Sequence, residues 1–163
     1  MNQIKNIPQT QSPATAAPRF AFVQAGWHAD IVQRGRDGFL QELQRRAPDA
    51  ETDVFDAPGA FETPLIAQRL ARSGRYAAVA VCAFIVDGGL YRHDFVARAV
   101  VDGLMRVGLE TDVPVLSIAL TPHAFFHEQA ANAAFFRDHF LIKGAEAARA
   151  ALEVCRFAAR RAA

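Results

Sequence analysis

The residues able to do chemistry are concentrated in a few short segments. Asp87-Gly88-Gly89 ends a long apolar run and is followed at once by Arg92 and His93. Paired glycines leave backbone N–H groups open to an anion, and a helix starting there adds the positive end of its dipole. Such turns also occur without ligands. This one gains meaning from its neighbours, a permanent cation and an imidazole that titrates near neutrality. Pro58-Gly59-Ala60-Phe61-Glu62 forms a second segment. Gly59 admits close backbone approach or a positive φ. Glu62 has two readings, an acceptor for the hydroxyls of a polyol or a carboxylate capping the next helix. Trp27, the only tryptophan, stands between Gly26 and His28 rather than in an apolar stripe. That setting favours stacking on a planar heterocycle over plain packing. His123, His127 and His139 lack the carboxylate of a metalloprotease helix, so they read as surface groups or an anion contact, and no metal is expected.

These segments need elements to hold them. RFAFVQ from Arg19 reads as a strand, and HADIVQRGRDGFLQELQRRA as a helix with Ile31, Phe39, Leu40 and Leu43 at helical spacing, stopped by Pro48 and Asp49. AETDVFD alternates as a strand, and LIAQRLARS is a helix with Gly74 at its C′ position. RYAAVAVCAFIV is apolar nearly throughout, as in a strand covered on both faces. YRHDFVARAVVDGLMRVGLE predicts a third helix and VPVLSIAL another fully buried strand. Two C-terminal helical patterns follow, from about Glu128 to Phe136 and from Gly144 to Ala159. The alternation predicts a parallel sheet with helices on both faces, whose ligands bind beyond the carboxyl ends of the strands. The chemistry-bearing segments fall there.

A chain of 163 residues with 52% hydrophobic content fits one domain, and a formal charge of +1 marks neither a nucleic-acid nor an acidic-membrane partner. Cys82 and Cys155 form no CxxC pair and read as reduced, structural thiols. Residues 1–18 contain no apolar run suited to a signal peptide and read as a disordered tail, leaving 19–163 as the domain. A cytoplasmic location is expected.

Assembled, these segments resemble lumazine synthases over Arg19 to Ala159. The resemblance is carried by Gln24-Ala25-Gly26-Trp27-His28, Pro58-Gly59-Ala60-Phe61-Glu62, and Phe84-Ile85-Val86-Asp87-Gly88-Gly89 leading to Arg92-His93-Asp94-Phe95-Val96. Pro114-Val115-Leu116-Ser117 with Leu120-Thr121, and Lys143-Gly144-Ala145-Glu146, complete the set. It implies an α/β chain folded as a flavodoxin-like three-layer α/β/α sandwich on a four-stranded parallel sheet, with no cofactor. It also implies condensation of 5-amino-6-(D-ribitylamino)uracil with 3,4-dihydroxy-2-butanone 4-phosphate to 6,7-dimethyl-8-ribityllumazine. By resemblance, Trp27 stacks on the pyrimidine, Ala60, Phe61 and Glu62 hold the ribityl chain, and the backbone of Phe84, Ile85 and Val86 binds the uracil edge. The turn at Gly88, Gly89 and Leu90 holds the phosphate. In that family the site lies between subunits of a pentamer, with the end of the fourth strand around Ser117 supplied by a neighbour.

This chain departs from the family at three places. Where the family carries a proton-transfer histidine two residues before an aspartate, Arg92 stands, with His93 next to it. Arginine cannot serve as an ordinary base. Arg92 is therefore expected to stabilise phosphate or a developing anion. His93 is left as the proton-transfer candidate, turned about 100° around the helix; its competing reading is a helix-start residue bonded locally. Ser117 takes a slot that often holds an aromatic. The basic phosphate contact after the fourth strand has no clear equivalent, and His127 is the candidate. The Arg-His-Asp arrangement, Trp27 and the stretch 137–142 before Lys143 resemble the second, decamer-forming branch (type II), which implies a homo-oligomeric dimer of pentamers. Arg92 and Ser117 also motivate a rival, a low-activity relative that mainly binds a flavin or lumazine. A flavodoxin-like electron carrier would need a Ser/Thr-rich loop after the first strand, and Ala25-Gly26-Trp27-His28 is not one.

Overall fold

The computed structural model describes residues 17–90, 92–126 and 128–162. Strands β1 (Arg19–Ala25), β2 (Glu51–Ala57), β3 (Ala78–Phe84) and β4 (Val115–Leu120) alternate with helices α1 (Ala29–Arg46), α2 (Thr63–Arg72), α3 (His93–Thr111) and α4 (Ala130–Ala162). The strands form one sheet in the order β2-β1-β3-β4, with every pairing parallel. This is the flavodoxin-like α/β arrangement, and it sets the carboxyl ends of all strands along one rim.

Side-chain alternation splits the core in two. Phe20, Phe22, Cys82 and Phe84 face α1 and α4, where they meet Ile31, Phe39 and Phe140. Ala21, Val23, Val79 and Val81 face α2 and α3, against Ala67, Val100 and Leu104. β3 is buried along its whole length because it has a strand on each side and helices on both faces. Gly74 takes φ +68 just past α2, the left-handed C′ position its sequence predicted.

Two expectations need correction. The C-terminal patterns belong to one continuous helix, α4, rather than two. Nothing in 137–143 breaks a helix, and Phe140, fully buried, carries the apolar face through the supposed gap. Gly144 is not a break either. A Cβ there would lie 1.9 Å from the Gly35 carbonyl oxygen, and one on Gly38 would lie 2.0 Å from that of Leu141. Glycine at these positions lets α1 and α4 touch backbone to backbone. β4, in turn, is not fully buried: only Ile118 is, and Ser117 is exposed. It is an edge strand, so one side lacks a neighbour. Among the described residues no helix is long and apolar enough to cross a membrane.

Candidate active site at the carboxyl rim of the sheet

The loops after β1 and β2 are laced together. The Gly26 N–H donates to the Ala57 carbonyl at 2.9 Å, and the Gln24 amide donates to Asp56 Oδ1 at 2.7 Å. His28 then takes a left-handed conformation, φ 52 and ψ 47, to start α1, and its carbonyl accepts from the Ile31 and Val32 N–H groups. Non-glycine residues rarely adopt this conformation, and it clusters at functional sites. The His28 ring sets edge-on against Phe84 and Phe125, with centroids 5.6 and 5.4 Å away. Sequence reasoning passed over His28 as a site-shaping residue. Its only local signal is its place between Trp27 and the first turn of α1.

Trp27 is 69% exposed. A Cβ placed on Gly59 would lie 3.7 Å from Trp27 Nε1 and 3.2 Å from Glu62 Oε2. The indole and the carboxylate therefore flank one glycine, and a larger residue there would crowd both. Glu62 occupies the N-cap position of α2 but makes no side-chain cap bond, so its capping reading is not what the structure shows. The turn is closed instead by Thr63, whose N–H and Oγ1 both donate to the Ala60 carbonyl, at 3.1 and 2.6 Å. Phe61 beside them is 66% exposed. An exposed indole, an exposed phenyl ring and an unengaged carboxylate offer stacking surface and a hydroxyl acceptor side by side.

Phe84 and Ile85 are buried, and Val86 is half-buried at the lip. The Phe84 ring is packed inward against Phe125, Phe136 and Phe140, with centroids 4.9 to 5.2 Å away. Its side chain is thus committed to the core, which leaves the backbone of this stretch as its polar contribution. The Ile85 N–H already donates to the Leu120 carbonyl at 2.9 Å.

The next turn is exposed, with Gly89 at φ +79 and its N–H donating to Asp87 Oδ1 at 2.8 Å. Arg92, the N-cap residue of α3, folds back over its own helix. Its Nε and Nη2 donate to Asp94 Oδ1 and Oδ2 at 3.2 and 2.6 Å, and its Cζ lies 4.3 Å from the Phe95 ring centroid. The guanidinium holds the Asp94 carboxyl below its ordinary range. Asp87, Gly89, Leu90, Arg92, His93 and Asp94 line one open pocket of about 450 Å³. The structure therefore brings the cation, the imidazole and the glycine turn together, as their spacing suggested.

Ser117 is not brought to this group. It lies midway along the edge strand β4, opposite Val81, and opens into an apolar groove with Met105, Leu109, Val154 and Phe157. His127 lies outside the described residues. His123 is exposed and His139 stacks on Phe135 at 5.7 Å. Among the described residues no cluster of His, Cys, Asp and Glu is arranged to hold a metal ion.

Comparison with known proteins then finds a match to the family described as 6,7-dimethyl-8-ribityllumazine synthase, over residues 17–159. A 6,7-dimethyl-8-ribityllumazine synthase of Rhodococcus erythropolis is 58% identical over 133 residues, covering 81% of this chain and 85% of the relative. A 6,7-dimethyl-8-ribityllumazine synthase 2 of Pseudomonas syringae pv. tomato is 52% identical over 132 residues, covering 80% and 77%. A protein of the same name from Bradyrhizobium diazoefficiens is 49% identical over 144 residues, covering 88% and 86%.

Proposed function

The chain belongs to the 6,7-dimethyl-8-ribityllumazine synthase family, and we infer from that premise how its own residues perform the family's reaction. As a transferase of riboflavin biosynthesis, it condenses 5-amino-6-(D-ribitylamino)uracil with 3,4-dihydroxy-2-butanone 4-phosphate. The amine adds to the ketone and water leaves to give a Schiff base. Phosphate departs, and ring closure with loss of a second water yields 6,7-dimethyl-8-ribityllumazine. Holding the two substrates in register replaces a bimolecular encounter and supplies much of the acceleration.

The observation that carries the residue assignment is the grouping of Trp27, Gly59 and Glu62 on one side of the rim and of Asp87, Gly89, Leu90, Arg92, His93 and Asp94 on the other. In this reading the pyrimidine stacks on Trp27, Phe61 and Ala60 flank the ribityl chain, and Glu62 accepts from its hydroxyls. The backbone of Phe84, Ile85 and Val86 meets the uracil edge. Gly88, Gly89 and Leu90 cradle the phosphate, and His127 is the proposed basic contact from the segment after β4. Arg92 stabilises the departing phosphate, and His93, the half-buried first residue of α3, moves the proton. Ser117 of a neighbouring subunit completes the pocket.

The family membership carries an oligomeric assembly. The finer assembly proposed is the type II dimer of pentamers, supported by α4 running unbroken through 137–142, the stretch that carries that resemblance. A cytoplasmic location accords with two free thiols, one of them buried, since reducing compartments keep cysteines unpaired.

A lumazine-formation assay on the full chain tests the reading. Arg92→Ala and His93→Ala are each expected to lower kcat by about 10²-fold or more. Full rate in both variants overturns the assignment of these two residues. Riboflavin binding with no lumazine formed overturns the enzymatic reading itself.

A further inference from the structure

The guanidinium of Arg92 already has an anion. Asp94 engages it bidentately, Nε to Oδ1 at 3.2 Å and Nη2 to Oδ2 at 2.6 Å, and the Phe95 ring supports it from below at 4.3 Å. A carboxylate and a phosphate occupy the same fork of a guanidinium, so the two compete for the same N–H groups. The pair is open to water, with 68% of the Arg92 and 54% of the Asp94 side chain exposed, so breaking it costs little. Both residues line the pocket that holds the Gly89 turn, where a second carboxylate, Asp87, sits on the Gly89 N–H. Arg92 and the Gly89 N–H, both proposed to bind phosphate, are thus engaged by the protein's own carboxylates.

We propose that Asp94 is a positioning residue that exchanges with substrate phosphate on Arg92, releasing the guanidinium when the sugar phosphate enters and reclaiming it when inorganic phosphate leaves. This rests on the placement of Arg92 at the phosphate. The phosphate carries more negative charge than one carboxylate and gains the backbone N–H groups of the turn as well, so it wins the fork while bound. Once it leaves, Asp94 spares Arg92 an unpaired state and so lowers the affinity for the product anion. Phe95 keeps the guanidinium in place throughout, because its aromatic face does not compete for N–H donors.

The test is a set of full-length variants titrated with inorganic phosphate by calorimetry, with product inhibition by phosphate measured alongside. Asp94→Asn keeps the shape and a helix-start acceptor but surrenders the ionic fork. It is expected to tighten phosphate binding roughly two- to fivefold, the equilibrium worth of an exposed ion pair. KM for the sugar phosphate should fall with it, while kcat does not rise. Asp94→Glu should bring both constants back toward the parent values. In an Arg92→Ala background Asp94→Asn should give no gain. A gain that persists there points to general charge and overturns the exchange. Weaker or unchanged phosphate binding in Asp94→Asn, with Arg92→Ala still impaired, overturns it as well. If Arg92→Ala leaves phosphate binding untouched, the placement of Arg92 falls and the exchange falls with it.

Discussion

At the scale of single residues, the site depends on contacts between side chains far apart in sequence. Glu62 is a carboxylate that the helix behind it does not use, since Thr63 closes the turn through the Ala60 carbonyl. Glu62→Gln therefore removes the charge and turns one of the two acceptor oxygens into a donor, without removing a cap. The expected outcome is a rise of about tenfold in KM for the ribitylaminouracil, the value of a hydrogen bond to a charged group, with thermal stability unchanged. Steady-state kinetics and a melting curve measure both, and a loss of melting temperature without a KM change would return Glu62 to a structural role. Its partner across Gly59, Trp27, is exposed in the free chain, which leaves its ring face available to a planar ligand.

At the scale of elements, two charged clusters fasten the layers away from the site. Glu42, nearly buried on α1, accepts from Arg45, Arg46 and, across the helix pair, from Arg149 on α4. These guanidinium groups push its pKa far down. At the amino ends of the strands, Asp53 on β2 accepts from Arg19 on β1 at 2.7 Å and from the Tyr76 hydroxyl at 2.7 Å. Chiefly through the Arg19 hydrogen bond, its pKa is lowered to about 2. A carboxylate whose folded pKa is depressed contributes stability that is fully present above its unfolded value, about 3.9. That contribution is lost as pH falls toward the folded value. Asp53→Asn should therefore lower the urea midpoint at pH 7 and flatten its decline below pH 4. Equal acid sensitivity in the variant and the parent would show that the cluster does not govern this window.

At the scale of the whole molecule, the open side of the sheet dominates. Along β4, the exposed Met105, Leu109 and Phe157 surround Ser117, with Leu109 78% exposed. A contiguous apolar strip beside an unpaired strand edge marks a surface meant to be covered. Leu109→Glu would place a charge in that strip. Gel filtration should then show a species smaller than the parent assembly, and lumazine formation should fall, because the neighbour proposed to supply Ser117 would be lost. An unchanged elution volume with full activity would place the subunit contact elsewhere.

The order of strands and helices, the stop at Gly74 and the burial of β3 were legible in the residues alone, because periodicity and turn chemistry are encoded among neighbours in the chain. The rim segments were legible for the same reason, each being a strand end followed by a helix start. What tertiary structure decided concerns partners distant in sequence. α4 runs through Gly144 because Gly35 of α1 lies against it, and no pattern within α4 announces that contact. β4 reads as apolar as β3 does, yet it is half open because sheet order puts it at an edge. The left-handed turn at His28, the meeting of Trp27 with Glu62 over Gly59, and the separation of Ser117 from both arise the same way. Sequence named the groups proposed to do the chemistry, and packing between remote segments determined which of them meet within one chain.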